Sequence, residues 1–132
     1  CVSELHEIII RLQDAEYVGV CIDSCHAHAA GYDLSDEAGL NRLVGELDQY
    51  QLLSRVAAIH LNDSLKAAGS RVDRHAHLGL GTIGQNGLQR FINHPNLAHL
   101  PMILETEKGL DEEGRDWDVV NAEYARRCRE SA

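Results

Sequence analysis

Three short apolar runs of this chain each end in side chains that can bind a metal ion. These side chains are carboxylates and imidazoles, which are common protein ligands of zinc and manganese. Along the chain they are Asp23, His26, His60 and Glu105. Because catalytic groups gather at the C-terminal ends of parallel barrel strands, the pattern predicts one shared site of a metal-dependent hydrolase.

A second group of candidate ligands lies in the loop that follows His60. Asp73 and His75 are separated by one residue, so in an extended segment both side chains project to the same side and can reach one ion. Arg71 and Arg74 flank Asp73, and a guanidinium can hold phosphate oxygens bidentately. The pattern favours a metal site beside a phosphate-binding surface, and each arginine equally fits a salt bridge to a local carboxylate.

Each candidate ligand also has a purely structural explanation. A strand-end aspartate such as Asp23 often caps the next helix, and a strand-end histidine such as His60 often packs as a core residue. Glu105 is harder to explain in this way, because a glutamate is seldom buried without an ion or a cation beside it. The six ligand-type residues together favour a shared metal centre, with Asp23 and Glu105 as candidate catalytic residues.

Other residues near these motifs give weaker signals. His28 and His77 each lie beside a better-placed ligand, so we expect them to be outer partners of the site or solvent-facing groups. Gly79, Gly81 and Gly84 resemble a phosphate-binding loop only superficially, and on this signal alone we assign them no ligand.

The candidate ligands require strands that end side by side. Hydrophobic periodicity predicts helices over 3–14, 36–52, 85–93 and 116–129, and strands over 18–23, 56–61 and 101–106. Residues 24–35 and 62–84 are predicted as loops, the second long enough to be functional. Strands that alternate with helices indicate a parallel α/β sheet. Because a TIM barrel needs eight strands, these three favour the C-terminal part of a longer (β/α)8 barrel.

Composition limits the classes of function. Of the 132 residues, 21 are acidic and 12 basic, and the formal net charge of −9 opposes long-range attraction to nucleic acid. Bound cations offset part of this charge, so a local basic loop still fits DNA. The length allows one domain over 1–132. The first residue, Cys1, is not Met, and this start favours a fragment or a processed chain.

The sequence also gives expectations about the compartment. It has no apolar run of transmembrane length and no signal-peptide pattern at its start, so we expect no membrane partner. We expect its four cysteines to be reduced thiols in a cytoplasmic protein. Cys21 lies in an apolar run and is predicted to pack as a small hydrophobic residue.

Several sequence blocks resemble one enzyme family. The blocks are GVCIDSCHAHAAGYD (19–33), HLNDS (60–64), GSRVDRH (69–75) and ILET (103–106). In order and spacing they resemble endonuclease IV, or AP endonuclease family 2, the apurinic/apyrimidinic endonucleases of base-excision DNA repair. The resemblance covers nearly the whole chain and weakens after Thr106.

This resemblance implies a fold and a cofactor. Family members are single xylose-isomerase-like (β/α)8 barrels of about twice this length, so the chain corresponds to the C-terminal half of one domain. A complete domain holds three Zn²⁺ ions, with Mn²⁺ as an alternative, and the ligands of the first zinc lie in the N-terminal half. The matching ligands here are His26, Asp73 and His75 for the third zinc, and Asp23, His60 and Glu105 for the second.

The resemblance also implies an activity of the deoxyribonuclease IV type. It is hydrolysis of the phosphodiester 5′ to an abasic site in double-stranded DNA, which leaves a 3′-hydroxyl and a 5′-deoxyribose phosphate. Arg71 and Arg74 then become candidates for contacts with the DNA backbone. Because the N-terminal half supplies the first zinc site and the DNA-penetrating loops, the isolated chain is expected to be inactive. The family lysine that follows the HLNDS-type motif is replaced here by Leu65.

Two other functions fit part of the pattern. Xylose-isomerase-like sugar isomerases and epimerases share the barrel and hold a divalent metal with residues equivalent to Asp23, His60 and Glu105. The separate trio that includes Asp73 favours the nuclease, because an isomerase has no need of it. The third function is an inactive metal-binding half-barrel. Its open strand edge predicts pairing with the missing N-terminal half or self-association.

Overall fold

The computed structural model of the chain describes residues 1–131, and five α-helices and five short strands follow one another within that range. The helices are α1 (Val2–Ile9), α2 (Ser24–Ala29), α3 (Glu37–Gln49), α4 (Gly84–Asn93) and α5 (Trp117–Glu130). The strands are β1 (Val20–Asp23), β2 (Val56–Leu61), β3 (Asp63–Ser64), β4 (His75–Ala76) and β5 (Met102–Leu104). None of the helices in this range has the length and apolar character needed to cross a membrane.

Three strands form one parallel sheet in the order β1-β2-β5. The register sets Asp23 of β1 beside His60 of β2, and His60 beside Ile103 of β5. Glu105 follows Ile103 by two residues and lies beyond the same end of the sheet. The predicted parallel α/β arrangement is confirmed, and the sheet does not close into a barrel within residues 1–131.

The helices bury one face of this sheet. On that face, Ile22 and Ile59 belong to one apolar core with Leu47 of α3. Side chains alternate across a strand, so Cys21, next to Ile22, points to the other face and is exposed. The predicted packing of Cys21 as a small hydrophobic residue is therefore not found within residues 1–131, where this face of the sheet is open. Ile103 shares the face of Cys21 through the strand register and is 50% exposed.

Two segments predicted as loops contain regular structure. Residues 24–35 include α2, whose sequence SCHAHA has no apolar stripe of helical period. Residues 62–84 include the antiparallel pair β3 and β4, each two residues long and too short to show strand alternation. The predicted helix 3–14 is also too long, since α1 ends at Ile9.

Ser24 joins the start of α2 to the end of β2. Its side chain is fully buried. The hydroxyl donates to the backbone oxygen of Asn62 at 2.6 Å and accepts the backbone N–H of the same residue at 2.8 Å. Both backbone groups of Asn62 are therefore satisfied by one side chain, just beyond the strand that carries His60.

Replacing Ser24 with alanine is expected to lower the free energy of unfolding by about 2 kcal/mol, because it leaves a buried N–H and a buried C=O unpaired. Ser54→Ala is the matched control, since Ser54 is exposed, and its expected effect is below about 0.5 kcal/mol. Urea denaturation followed by circular dichroism measures both values. Equal midpoints for the two variants would contradict the role given to Ser24.

Candidate metal centre

Asp23 stands between two groups of donor atoms. Its Oδ1 accepts the backbone N–H of His26 at 2.9 Å and caps α2. Its Oδ2 lies 3.5 Å from Nε2 of His75 and 3.9 Å from Nδ1 of His60. The helix-capping role considered for Asp23 is therefore present, and its second oxygen is directed at two imidazoles.

The first donor group consists of Asp23, His60 and Glu105, whose ligand atoms all lie within 4.8 Å of one another. Nδ1 of His60 is 2.7 Å from a carboxylate oxygen of Glu105. The side chain of His60 is 33% exposed within residues 1–131. Two carboxylates and one imidazole are a suitable donor set for zinc or manganese.

The second donor group consists of Asp23, Cys25, Asp73 and His75. Oδ1 of Asp73 lies 3.3 Å from Nε2 of His75, and both atoms are buried without a hydrogen-bond partner among residues 1–131. Because buried polar atoms nearly always have a partner, this pair fits a bound cation.

The ring of His75 is oriented for such a role. Its Nδ1 lies 2.9 Å from the backbone oxygen of Glu105. A carbonyl oxygen only accepts hydrogen bonds, so in the neutral ring the proton resides on Nδ1 and the lone pair on Nε2. Metal-ligating histidines commonly donate their other ring N–H to a carbonyl in this way. Nε2 then faces Asp23 and Asp73 with its lone pair.

His26 lies on α2, at the edge of the second group. Its Nδ1 is 3.4 Å from Oδ2 of Asp73, whereas His75 faces Oδ1 of the same carboxylate. The side chain of His26 is 67% exposed and belongs to neither compact donor group. The structure brings His26 beside Asp73, and a single ion shared by His26, Asp73 and His75 stays a prediction.

Cys25 was not singled out from the sequence, and its thiol lies within the second group. The side chain is buried and donates to the backbone oxygen of Arg74 at 3.5 Å. Burial raises the pKa of the Cys25 thiol to about 11, so the thiol is protonated at neutral pH. Its hydrogen bond supports the backbone between Asp73 and His75.

The two arginines lie on the surface next to this group. Arg74 donates to the backbone oxygen of Asp73 at 3.0 Å. The backbone N–H of Arg71 donates to the oxygen of Ala29 at 2.9 Å, with a left-handed φ of 58° at Arg71. Among residues 1–131 neither guanidinium lies within 4.0 Å of a carboxylate oxygen. The Cys1 ammonium and, after it, the Arg71 charge lower the pKa of Glu4, so the alternative of a local ion pair stays open for Arg71. Both charged groups are open to an anion.

The glycine-containing segment 79–84 binds the side chain of Asp63 through its backbone N–H groups. Its side chain is fully buried. One carboxylate oxygen accepts the backbone N–H groups of Gly79 at 3.0 Å and Gly81 at 3.1 Å, and the other accepts those of Ser64 at 2.8 Å and Ile83 at 3.0 Å. A Cβ added at Gly81 would collide with this carboxylate. The anion bound by the segment is therefore Asp63 itself, which accounts for the superficial resemblance to a phosphate loop.

The outer histidines have structural contacts. His28 is fully buried, accepts the backbone N–H of Leu34 on Nδ1 and contacts the Thr82 hydroxyl through Nε2, each at 3.1 Å. Burial also lowers the pKa of His28. Because the side chain is buried, the solvent-facing alternative is wrong for His28, and its alternative role as an outer partner of the site stays a prediction. His77 stacks on Trp117 with ring centroids 3.6 Å apart.

Comparison with known proteins places this geometry in a family. Residues 1–125 match the family model described as "Xylose isomerase-like TIM barrel". The chain belongs to this family. The sheet β1-β2-β5 is thus part of a TIM barrel, and the predicted fold class is confirmed.

Relatives within the family carry the name that the sequence blocks suggested. "Probable endonuclease 4" of Halothermothrix orenii is 46% identical over 125 residues, which are 95% of this chain and 44% of that protein. "Probable endonuclease 4" of Chloroflexus aurantiacus is 52% identical over 96 residues, 73% of this chain and 34% of that protein. The predicted resemblance to endonuclease IV is confirmed.

A solved structure of an endonuclease IV also aligns with this chain. Endonuclease IV from Thermus thermophilus aligns with a TM-score of 0.77 and 42% sequence identity, over 96% of this chain and 44% of that chain. The chain therefore spans less than half the length of the family members that it matches. Its donor groups are those of a partial domain.

Proposed function

We propose that residues 1–132 are the C-terminal portion of a single TIM-barrel AP endonuclease domain that acts in cytoplasmic DNA repair. The reaction is zinc-dependent hydrolysis of the phosphodiester 5′ to an abasic site in double-stranded DNA, with a 3′-hydroxyl and a 5′-deoxyribose phosphate as products. The names of the relatives and the motif resemblance support this reaction class.

One observation carries the proposal: Asp23 is shared by two donor groups. A carboxylate common to two groups fits two neighbouring metal positions, and closely spaced metal pairs are typical of phosphodiester hydrolysis. The orphaned atoms Oδ1 of Asp73 and Nε2 of His75 support a cation in the second position. Nitrogen and oxygen donors suit Zn²⁺ and also admit Mn²⁺.

Each residue has a defined task in this proposal. When bound, zinc would supply activation of a water molecule and stabilisation of charge on the phosphate. Asp23, His60 and Glu105 would hold one ion, and Asp73 and His75, joined by His26, would hold the other. Asp23 lies between the two positions and belongs to both donor groups. The backbone oxygen of Glu105 fixes the ring of His75. Arg71 and Arg74 are the candidates for contacts with the DNA backbone.

The sugar isomerase remains a second candidate because Asp23, His60 and Glu105 alone also fit that chemistry. The second donor group, with Asp73 and His75, favours the nuclease. The remaining part of the barrel is proposed to come from an N-terminal half, or its place is taken by self-association, because β1 and β5 each have an unpaired edge within residues 1–131.

The test uses a chimera in which this chain replaces the aligned part of Thermus thermophilus endonuclease IV. With zinc, the chimera is expected to nick an abasic duplex, while the 132-residue chain alone shows no turnover. Asp73→Ala in the chimera is expected to lower nicking by at least about 100-fold, because a ligand is lost.

Asp48→Ala is the control for this substitution, since Asp48 is exposed on α3. Its rate should stay within about twofold of the parent chimera. Robust nicking by the isolated chain would contradict its predicted inactivity. Sugar isomerisation by the chimera without nicking would replace the nuclease proposal with the isomerase.

A further inference from the structure

We propose that Asn62 is a positioning residue for the metal centre, which it serves through Asp23 and Glu105. This inference rests on the proposed function, because it assigns a role toward the metal ions of that site. Asn62 follows β2 directly, and its side chain is fully buried. In this role Asn62 acts on the two ligand residues and does not itself bind a metal ion.

The amide of Asn62 connects two metal-ligand residues on different strands. Its Nδ2 donates to Oδ2 of Asp23 at 3.1 Å, and its Oδ1 accepts the backbone N–H of Glu105 at 3.0 Å. The second contact fixes the orientation of the amide, because a flipped group would set NH₂ against N–H and an oxygen against a carboxylate. Asn62 therefore links the ends of β1 and β5 across the end of β2.

The backbone of Asn62 is held as firmly as its side chain. The Ser24 hydroxyl satisfies both its N–H and its C=O. Ser24 is the next residue after Asp23, so the same two chain segments are joined by backbone and by side-chain hydrogen bonds. This arrangement leaves the Asn62 amide little freedom to follow Asp23 if that carboxylate turns.

The oxygen that Asn62 contacts is the one that faces the imidazoles. Oδ2 of Asp23 lies near Nε2 of His75 and Nδ1 of His60, whereas Oδ1 is engaged in the α2 cap. A donor fixed on Oδ2 sets the plane of the carboxylate and the direction of its remaining lone pair. Hydrogen-bond partners of metal ligands contribute about 10-fold to 100-fold to metal affinity.

The experiment compares two fully buried asparagines of the same chain. Asn62→Ala is expected to weaken Zn²⁺ binding by about 10-fold to 100-fold, measured by competition with a chromophoric chelator on the metal-free chain. Asn121→Ala is the matched control, because Asn121 is equally buried and bonds to Leu78, Thr106 and Trp117. Its affinity should change by less than about threefold. In an Asp23→Ala background, Asn62→Ala should add less than about threefold to the loss of Zn²⁺ affinity, because only the contact with the Glu105 backbone remains to be removed.

A second measurement needs no substitution. In the ¹⁵N-labelled natural chain, addition of Zn²⁺ should shift the side-chain NH₂ signals of Asn62 and leave those of Asn121 in place. Equal affinities of the Asn62→Ala and natural chains, or an Asn62 signal that zinc does not shift, would overturn the positioning role alone. Absence of Zn²⁺ binding by the natural chain would overturn the metal centre and this inference together.

Discussion

Asp63→Asn is expected to lower the free energy of unfolding by about 3 kcal/mol or more. The natural carboxylate accepts at least four backbone N–H groups in a fully buried position. Asparagine keeps one acceptor oxygen and turns an NH₂ group toward the remaining donors. Hydrogen bonds to a charged group contribute about 1.5–3 kcal/mol each, and buried donors left unpaired cost about as much.

Asp48→Asn provides the matched control for Asp63→Asn. It removes the same charge from an exposed position, and the expected change is within about 0.5 kcal/mol. Chemical denaturation monitored by circular dichroism, with the m-value checked in each variant, gives both numbers. A variant at position 63 that unfolds at the midpoint of the natural chain would contradict the described role of this carboxylate.

Asp23→Asn is expected to weaken Zn²⁺ binding by at least about 100-fold, since it removes a charged ligand shared by two donor groups. Asparagine can still accept the N–H of His26 through Oδ1, so the cap of α2 is kept. The substitution therefore keeps the helix cap but removes both the charge and the oxygen that accepts the Asn62 amide. Competition titration with a chelator of known zinc affinity, at fixed pH, measures the loss.

Asp36→Asn is the control for this second substitution. Asp36 caps α3 by accepting the N–H of Ala38, and it belongs to neither donor group. Its zinc affinity should equal that of the natural chain. If Asp23→Asn and Asp36→Asn bind zinc equally well, the shared position of Asp23 has no importance for the metal ions.

The meeting of the ligand residues at the strand ends could be predicted from the sequence, because the C-terminal ends of parallel strands lie at the same edge of a sheet. The apolar run 56–61 matches β2 at both ends, and the order of strands and helices predicted the parallel sheet. Asp23, His60 and Glu105 then had to meet at one edge, and the structure places their ligand atoms together. The pair Asp73 and His75 followed from the spacing of side chains in an extended segment.

Other features gave no periodic signal. The α2 helix carries small and polar residues in place of an apolar stripe, and β3 and β4 are too short to alternate visibly. Asn62 and Asp63 stand beside His60 in sequence, yet their roles depend on backbone groups up to 43 residues away. Such contacts are set by tertiary structure, and local patterns carry no information about them.

Segment 79–84 donates its backbone N–H groups to the Asp63 carboxylate, and this determines how the loop responds to dissolved anions. Asp63, the anion that the loop binds, belongs to the same chain as the loop. Its effective concentration is therefore fixed by geometry and does not vary with buffer composition. Free sulfate or phosphate cannot bind the N–H groups of Gly79, Gly81 and Ile83, because these already donate to Asp63. The turn should therefore keep its shape across a wide range of solute conditions and give constant support to the donor groups beside it.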